Sequence, residues 1–402
     1  MGLGYIGLPM AAVLAKHDFK VTGVDPDKTR TDCITRGENP LDEEGLGPLI
    51  RQAVGNGKLN ISETPLPADI YVICVPTPIS FYDNKVNCLP KPDMTYVEAA
   101  VKNVADVAPE GALVILESTS PVGSTEFMAD IFSQAGRDAE AFHFAYCPER
   151  VLPGNIIQEL EENDRIVGGL DDLATEQGCD FYRAFVSGTV WPATARLAEL
   201  CKLVENSYRD VNIAFANEVS LICHELGLDV RELIRLANRH PRVKILDAGI
   251  GVGGHCIAVD PWFIAANFPE KTRLIQTARR VNLDKTEWII RQIENDSEAL
   301  AELLGRKPKL ALFGLAYKAN VADMRESPAC RIAHALTKGG AEVVCVEPHV
   351  DEASGLELVT AGEACEIADM GVILVRHDHF VKMKSAFDCF SVTVDYCGLV
   401  SE

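Results

Sequence analysis

The sequence predicts an α/β protein: two Rossmann-like parallel-sheet domains joined by a long central helix and a helical domain. Three observations predict it. Short β-branched runs alternate with helical stretches over residues 1–150, and the same alternation resumes beyond Lys307. Between them, residues 194–226 contain no proline or glycine and place Leu197, Leu200, Val204, Val211, Phe215, Val219 and Ile222 at helical spacing.

In the first part, Lys20–Val24, Ile70–Val75 and Leu113–Glu117 read as strands of a parallel sheet, with helices expected on both faces. The central run predicts one long helix, or two in close sequence. In the last part, Leu310–Gly314, Val343–Val346 and Val372–Val375 are the apolar strand runs. The expected domains are 1–190, a dinucleotide-binding Rossmann-like domain; 191–304, a helical domain; and 305–402, a second Rossmann-like domain. An internal echo accompanies them. Gly2-Leu-Gly-Tyr-Ile-Gly followed by Val21-Thr-Gly-Val-Asp-Pro resembles Gly314-Leu-Ala-Tyr-Lys-Ala followed by Val343-Val-Cys-Val-Glu-Pro, as two related nucleotide-binding halves would.

Composition bounds the function. With 402 residues and 47% hydrophobic content the chain can fill two or three cores. No segment approaches the ~20 consecutive apolar residues of a membrane helix, and the N-terminus lacks a signal peptide's basic and apolar regions, so a cytoplasmic location is expected. The net charge of -21 argues against nucleic acid and anionic membranes as partners. An anionic small molecule is compatible only with a locally basic pocket. Thirteen cysteines, without CxxC pairs or Cys/His clusters, suggest neither a disulfide framework nor a metal site.

Gly2, Gly4 and Gly7 form GxGxxG ahead of a helical segment, and Asp25 ends the next strand about 20 residues on, as a dinucleotide fingerprint requires. The glycines let backbone approach a pyrophosphate, and the helix start attracts it. A carboxylate at Asp25 would accept the ribose hydroxyls and repel a 2′-phosphate, which selects NAD over NADP. The strand that should precede the glycines is not among these residues: either the numbering starts late, or a protein truncated there is expected to bind NAD weakly.

The segment Gly249-Ile-Gly-Val-Gly-Gly-His-Cys256-Ile-Ala-Val-Asp260-Pro-Trp sets a cysteine in a glycine-rich loop. Most cysteines are small buried hydrophobes, and that is the reading expected of the other twelve. Cys256 differs because its glycines suit close backbone approach and not core packing. Asp260 before Pro261 has an equally ordinary reading as a helix start. Lys202, Asn206 and Arg209 fall at i, i+4 and i+7, on one helix face, where a solvated polar stripe is the bland alternative. Polar insertions follow two further strands, Glu117-Ser-Thr-Ser-Pro-Val-Gly123 and Cys147-Pro-Glu-Arg-Val-Leu-Pro-Gly154, where α/β sheets place ligands. Each is also compatible with a simple turn. A thiol in an NAD enzyme can trap an aldehyde as a thiohemiacetal, from which a second hydride leaves a thioester for hydrolysis.

Together, GLGYIG, ESTSPVGS, CPERVLPG, LCKLVENSYRDVNIAFANE, NRHPRV, GVGGHCIAVDPW and FGLAYKANVADMRESP strongly resemble the UDP-glucose/GDP-mannose dehydrogenase family, in the family's order and across essentially the whole chain. Within it, Pro148-Glu-Arg-Val and Gly253-Gly-His-Cys-Ile-Ala-Val-Asp favour members acting on UDP-N-acetyl-D-mannosamine; those acting on UDP-glucose usually read PEFL and GGSCFPKD. The resemblance implies four-electron, NAD-dependent oxidation of a UDP-sugar at C6, with a homodimer built on the central region and UDP bound by the C-terminal domain. It makes Cys256 the nucleophile and Lys202 the general acid/base or oxyanion stabiliser, with Asn206 completing the oxyanion environment. Thr119, Glu149 and Asp260 would manage water and protons. It places Tyr5, Ile6, Asp25, Arg30, Thr77 and Thr119 at NAD, and Arg150, Val151, Arg209, His240, Arg242, Gly253, Lys318 and Arg325 around the UDP-sugar, beside Lys202 and Asn206. Those cations would supply the basic pocket. UDP-N-acetylglucosamine and UDP-glucose are the alternative substrates. A nucleotide-sugar sensor without catalysis is the alternative class, but it would have no reason to keep Cys256, Lys202 and Asn206 together.

Overall fold

The computed structural model describes residues 1–41, 43–80, 89–152 and 154–400. The chain divides into two units, residues 1–205 with 262–268, and residues 206–261 with 269–402.

In the first unit, β1 (Val21–Val24) and β2 (Leu59–Ser62) pair in parallel. Five strands form a second sheet: β3 (Ile70–Ile73) beside β6 (Leu113–Leu116), then β7 (His143–Tyr146), β8 (Arg165–Gly169) and β9 (Val190–Thr194). β4 (Ile79–Ser80) and β5 (Lys91–Pro92) make a small antiparallel pair. β6 is buried along its whole length, which its uninterrupted Leu-Val-Ile-Leu run dictates for a strand covered on both faces. The expected strands therefore hold, with ends trimmed by one or two residues. One pairing departs from an all-parallel sheet: β8 runs antiparallel to β7 and parallel to β9.

Residues 1–3 lie between β1 and β3. The Met1 amino group donates to Val72 O (2.8 Å), Cys74 N to Met1 O (2.8 Å) and Gly2 N to Val24 O (2.8 Å). A cavity of about 630 Å³ opens beside them, lined by Met10, Leu14, Phe19, Val21, Val72 and Phe181 among others. Burial pulls the Met1 amine below the ordinary range, against the opposing pull of Cys74, Asp25 and Glu117.

In the second unit, β10 (Lys309–Phe313) is central, with β11 (Glu342–Val346) on one side and β12 (Met370–Ile373) then β13 (Val392–Asp395) on the other, all parallel. The sequence echo is real at the level of single hydrogen bonds. Gly2 N donates to Val24 O (2.8 Å) and Gly314 N to Val346 O (2.9 Å), each from a glycine with positive φ, 84° and 92°. Leu3 N donates to Asp25 Oδ2 (2.8 Å) and Leu315 N to Glu347 Oε2 (2.7 Å). Asp27 N and His349 N then donate to the second oxygen of the same carboxylates, at 2.9 and 3.1 Å. In both units an acid at the end of a strand ties down a glycine turn: Asp25 after β1 holds Leu3, and Glu347 after β11 holds Leu315.

The central run is one unbroken helix, Ala195–Leu226. Its apolar periodicity does not face the core. Leu197, Val204, Phe215 and Ile222 are 49–54% exposed, whereas its buried positions include Ala198, Ser207, Asp210, Asn217 and Ser220. In the second unit this polar face meets helix Arg273–Leu304. Arg279 Nη1 donates to Asp210 Oδ1 (2.6 Å), Asn217 Nδ2 to Asn282 Oδ1 (2.9 Å) and Lys285 Nζ to Ser220 Oγ (2.9 Å). Buried polar partners at fixed heights set the register of two helices that aliphatic packing alone would leave free to slide. Among the described residues, no helix is long and apolar enough to cross a membrane.

Candidate active site

The dinucleotide fingerprint folds as its residue types require. Gly2 has φ +84°, and a Cβ on Gly7 would lie 1.8 Å from Gly2 O, so the turn admits no side chain there. Around Gly4 a Cβ would meet nothing within 4 Å, which leaves backbone open to a ligand. Helix Gly7–Lys16 begins without a side-chain cap and with no acid in its first turn, so its leading N–H groups suit a pyrophosphate. Asp25 is only 4% exposed. Burial pushes its carboxyl up, but hydrogen bonds from Leu3 N, Asp27 N and Arg30 outweigh burial and hold it below the ordinary range. Arg30 Nη1 reaches Asp25 Oδ2 at 2.8 Å. Thr77 Oγ1 donates to Thr119 O (2.7 Å), which brings two of the residues expected at NAD into contact. Tyr5 is 40% exposed and Ile6 is the cap residue of the same helix. These residues fit a bound dinucleotide.

The same unit holds Lys202 and Glu149. Lys202 is buried, 6% exposed, with Nζ 3.9 Å from Glu149 Oε2, so it is not a solvated surface lysine. Val151 N donates to the Glu149 carboxylate. Gly154 N and Ile156 N donate to the two oxygens of Glu43 (2.9 and 2.8 Å), anchoring the far end of the loop that carries Glu149. Pro153 of that loop lies outside the described residues, as does Cys88. Arg150 is held by Glu205 through Nε (3.2 Å) and Nη2 (2.5 Å). Cys147 is fully buried and its thiol is pushed up to about 12, chiefly by that burial, which leaves it inert.

In the second unit Cys256 is exposed, but so is Cys389. Of the other described cysteines only Cys147, Cys179, Cys223 and Cys345 are buried, against the expectation for all twelve. Val259 N and Asp260 N both donate to Cys256 O (3.0 and 2.8 Å), and Asn206 Nδ2 donates to Asp260 Oδ2 (2.5 Å). Three of the expected residues therefore form one fixed cluster. Asp260 is 2% exposed and begins helix Asp260–Asn267, so it is a helix start whose buried carboxylate lies beside Asn206.

The glycines before Cys256 approach other segments of the protein. A Cβ on Gly253 would lie 2.6 Å from Glu326 O and one on Gly254, at φ +80°, 2.9 Å from the Tyr317 ring. Gly254 N donates to Arg325 O (3.2 Å). The cysteine loop is thus seated against the 314–326 segment that carries Lys318 and Arg325. Lys318 and Arg209 are exposed, as are His240 and Arg242. Arg325 pairs with Asp323 through Nε (2.8 Å) and Nη2 (2.6 Å). Sequence reasoning missed Glu43, Glu205 and Asp323, which anchor a loop or pair with an expected ligand. No local pattern marks Glu43 and Glu205, whose contacts close over 111 and 55 residues, whereas Asp323 lies two residues from Arg325.

Family models cover nearly the whole chain. The NAD binding domain of the UDP-glucose/GDP-mannose dehydrogenase family matches residues 1–186, its central domain 196–284 and its UDP binding domain 311–399. The chain belongs to the UDP-glucose/GDP-mannose dehydrogenase family. It is an NAD-dependent nucleotide-sugar dehydrogenase. A UDP-N-acetyl-D-mannosamine dehydrogenase of Salmonella typhimurium is 48% identical over 94% of this chain and 93% of its own. An NDP-N-acetyl-D-galactosaminuronic acid dehydrogenase of Ralstonia nicotianae is 45% identical over 100% of this chain and 95% of its own. Among solved structures, a UDP-N-acetyl-mannosamine dehydrogenase of Staphylococcus aureus matches with a TM-score of 0.88 and 38% identity, covering 100% of this chain and 95% of that one.

Proposed function

We propose that the protein oxidises UDP-N-acetyl-D-mannosamine at C6 to UDP-N-acetyl-D-mannosaminuronate in two hydride transfers, with Cys256 as the covalent nucleophile. The observation that carries this reading is the exposed Cys256 on a loop whose carbonyl is bound by Asp260, itself bound by Asn206. Bound NAD would supply the hydride acceptor, held by Gly2, Gly4, Gly7 and Asp25 with Tyr5, Ile6, Arg30, Thr77 and Thr119.

The residues divide the work by their chemistry. The C6 alcohol loses a proton and a hydride to become an aldehyde, and the Cys256 thiolate adds to it. Loss of the second hydride leaves a thioester, which water hydrolyses to the carboxylate, restoring the thiol. Each stage places negative charge on the C6 oxygen, and the Lys202 ammonium and Asn206 amide are the donors suited to it. Glu149, Asp260 and Thr119 are the groups suited to taking protons and orienting water. Arg150, Val151, Arg209, His240, Arg242, Gly253, Lys318 and Arg325 would hold the UDP-sugar.

The names of the relatives support the sugar. The exposed apolar positions along helix Ala195–Leu226 support a homodimer closed over that stripe, with the helical region 191–304 between domains 1–190 and 305–402. A cytoplasmic location accords with the chain's composition. The test is an NAD reduction assay on UDP-N-acetylmannosamine, UDP-N-acetylglucosamine and UDP-glucose, counting NADH per sugar. Two NADH per UDP-N-acetylmannosamine, with the others slower, is expected. One NADH per sugar, or a faster UDP-glucose, would refute it.

A further inference from the structure

The 314–326 loop, between β10 and helix Pro328–Lys338, is held at two places by one buried cluster. At its start, Leu315 N and Ala316 N donate to Glu347 Oε2 (2.7 and 3.0 Å). At its middle, Asn320 N donates to His377 Nδ1 (3.0 Å) and Asn320 Oδ1 accepts from Asp378 N (2.9 Å). Asn320 has φ 60°, a left-handed conformation that a non-glycine residue keeps only when its surroundings hold it. His377 links the two places. It has no exposed surface, and its Nε2 lies 3.2 Å from Glu347 Oε2.

The hydrogen bonds fix what His377 can do. Nδ1 faces an N–H donor, so it must offer its lone pair, and in a neutral ring the proton then sits on Nε2, towards Glu347. Glu347, His349 and His377 have ligand atoms within 4.8 Å of one another, which resembles a metal site. A metal on Nε2 would need that nitrogen's lone pair and would move the proton to Nδ1, against the Asn320 N–H. Both Glu347 oxygens already accept backbone N–H groups. The cluster anchors the loop: Nδ1 accepts from Asn320 N, Nε2 stands 3.2 Å from Glu347 Oε2, and Phe380 packs edge-on against the His377 ring.

We infer that His377 is a positioning residue for the nucleotide-sugar site, fixing the 314–326 loop through Asn320 and Glu347 and thereby setting Lys318, between the two anchors, in its binding conformation. This rests on the reading of Lys318 as a ligand of the UDP-sugar. His377 itself touches no substrate.

The experiment is calorimetric titration of UDP, with steady-state kinetics, on wild type, His377→Ala, His377→Asn, His377→Gln, Lys318→Ala and the Lys318→Ala/His377→Ala double variant. An asparagine amide can accept from Asn320 N where Nδ1 did; glutamine reaches only towards Glu347. UDP binding should weaken roughly five- to tenfold in His377→Ala and His377→Gln, the effect of one lost hydrogen bond, and recover most of its strength in His377→Asn. KM for the UDP-sugar should rise in step, with KM for NAD within about twofold. Acting through Lys318, His377→Ala should cost little further on the Lys318→Ala background. Wild-type affinity for UDP in His377→Ala and His377→Gln, or full additivity in the double variant, would overturn the proposal. Should the alanine variant not fold, the asparagine and glutamine pair decides alone. A wild-type enzyme that binds UDP while Lys318→Ala binds it equally well would sink the underlying reading of Lys318, and a wild type that binds no UDP would sink the assignment of the site.

Discussion

At Cys256 the question is whether sulfur bonds to the substrate carbon or merely lines its path, and serine separates the two. Cys256→Ser keeps size and exposure but removes the thiolate, so the first oxidation or its reverse should persist while acid formation stops. Uronate formed at the wild-type yield would rule out the covalent route. Lys202 asks a similar question of charge. Its burial beside Glu149 makes it an ammonium held in place, and such a donor to a developing oxyanion is worth ~2.7–4 kcal/mol, or roughly 100–1000-fold in turnover. Lys202→Ala should therefore lose turnover on that scale while UDP affinity, measured calorimetrically, changes little. Turnover within a few-fold of wild type would show that the ammonium is structural. The glycines before Cys256 mark its close backbone approach in the sequence, but the surroundings of Lys202 could not be read there. The i, i+4, i+7 spacing put Lys202, Asn206 and Arg209 on one face, but it could not show that Lys202 is buried and Arg209 exposed, because that depends on segments distant in the chain.

At the scale of elements, the strands were legible because a β-branched run of four or five residues between turn signals has few other uses. The central helix was legible because nothing in residues 194–226 breaks it. Which face it buries was not. Apolar periodicity ordinarily marks the core side, yet here Asp210, Asn217 and Ser220 face helix Arg273–Leu304 and the aliphatic stripe lies outward. If a second copy covers that stripe, Phe215→Asp should halve the mass measured by light scattering at micromolar concentration; an unchanged mass would place the interface elsewhere. The buried seam carries its own signature. Lys285 is 5% exposed, with its ammonium 4.1 Å from the Trp288 ring centroid, and burial pulls its pKa down to about 8. Below that pH, folded and unfolded chains both hold the proton and the cost of burying it is fully felt. Between about 8 and the ordinary lysine value near 10.4 the folded chain alone releases it, so stability rises with pH. Lys285→Met should then stabilise by roughly 1–3 kcal/mol at neutral pH, less the bond to Ser220, and the gain should shrink by pH 10. A gain equal at both values in denaturant titrations would mean that the proton is not the cause.

For the whole molecule, charge decides how the ligands arrive. The net charge of -21 calls for a locally basic pocket if an anionic dinucleotide and an anionic UDP-sugar are to be attracted from a distance. Three of the cations expected to supply it are compensated: Arg30 faces Asp25, Arg150 faces Glu205 and Arg325 faces Asp323, with N–O distances of 2.8, 2.5 and 2.6 Å. Close contacts of this kind can still hold a phosphate once it has arrived, because they act over hydrogen-bond distances that salt screens weakly. The long-range field is a different quantity, set by the uncompensated surplus of carboxylates. That surplus is felt across about 30 Å at 0.01 M salt and about 8 Å at 0.15 M. Repulsion of both anionic ligands should therefore dominate at low ionic strength and fade as salt is added. The expected outcome is a kcat/KM for the UDP-sugar that rises severalfold between about 10 and 150 mM sodium chloride, with kcat nearly constant, since the screened term acts on encounter and not on chemistry. An enzyme steered by a basic pocket would do the reverse. A kcat/KM that falls over the same range, at constant NAD saturation, would mean that Lys318, Arg209 and their neighbours govern the approach despite the acid around them.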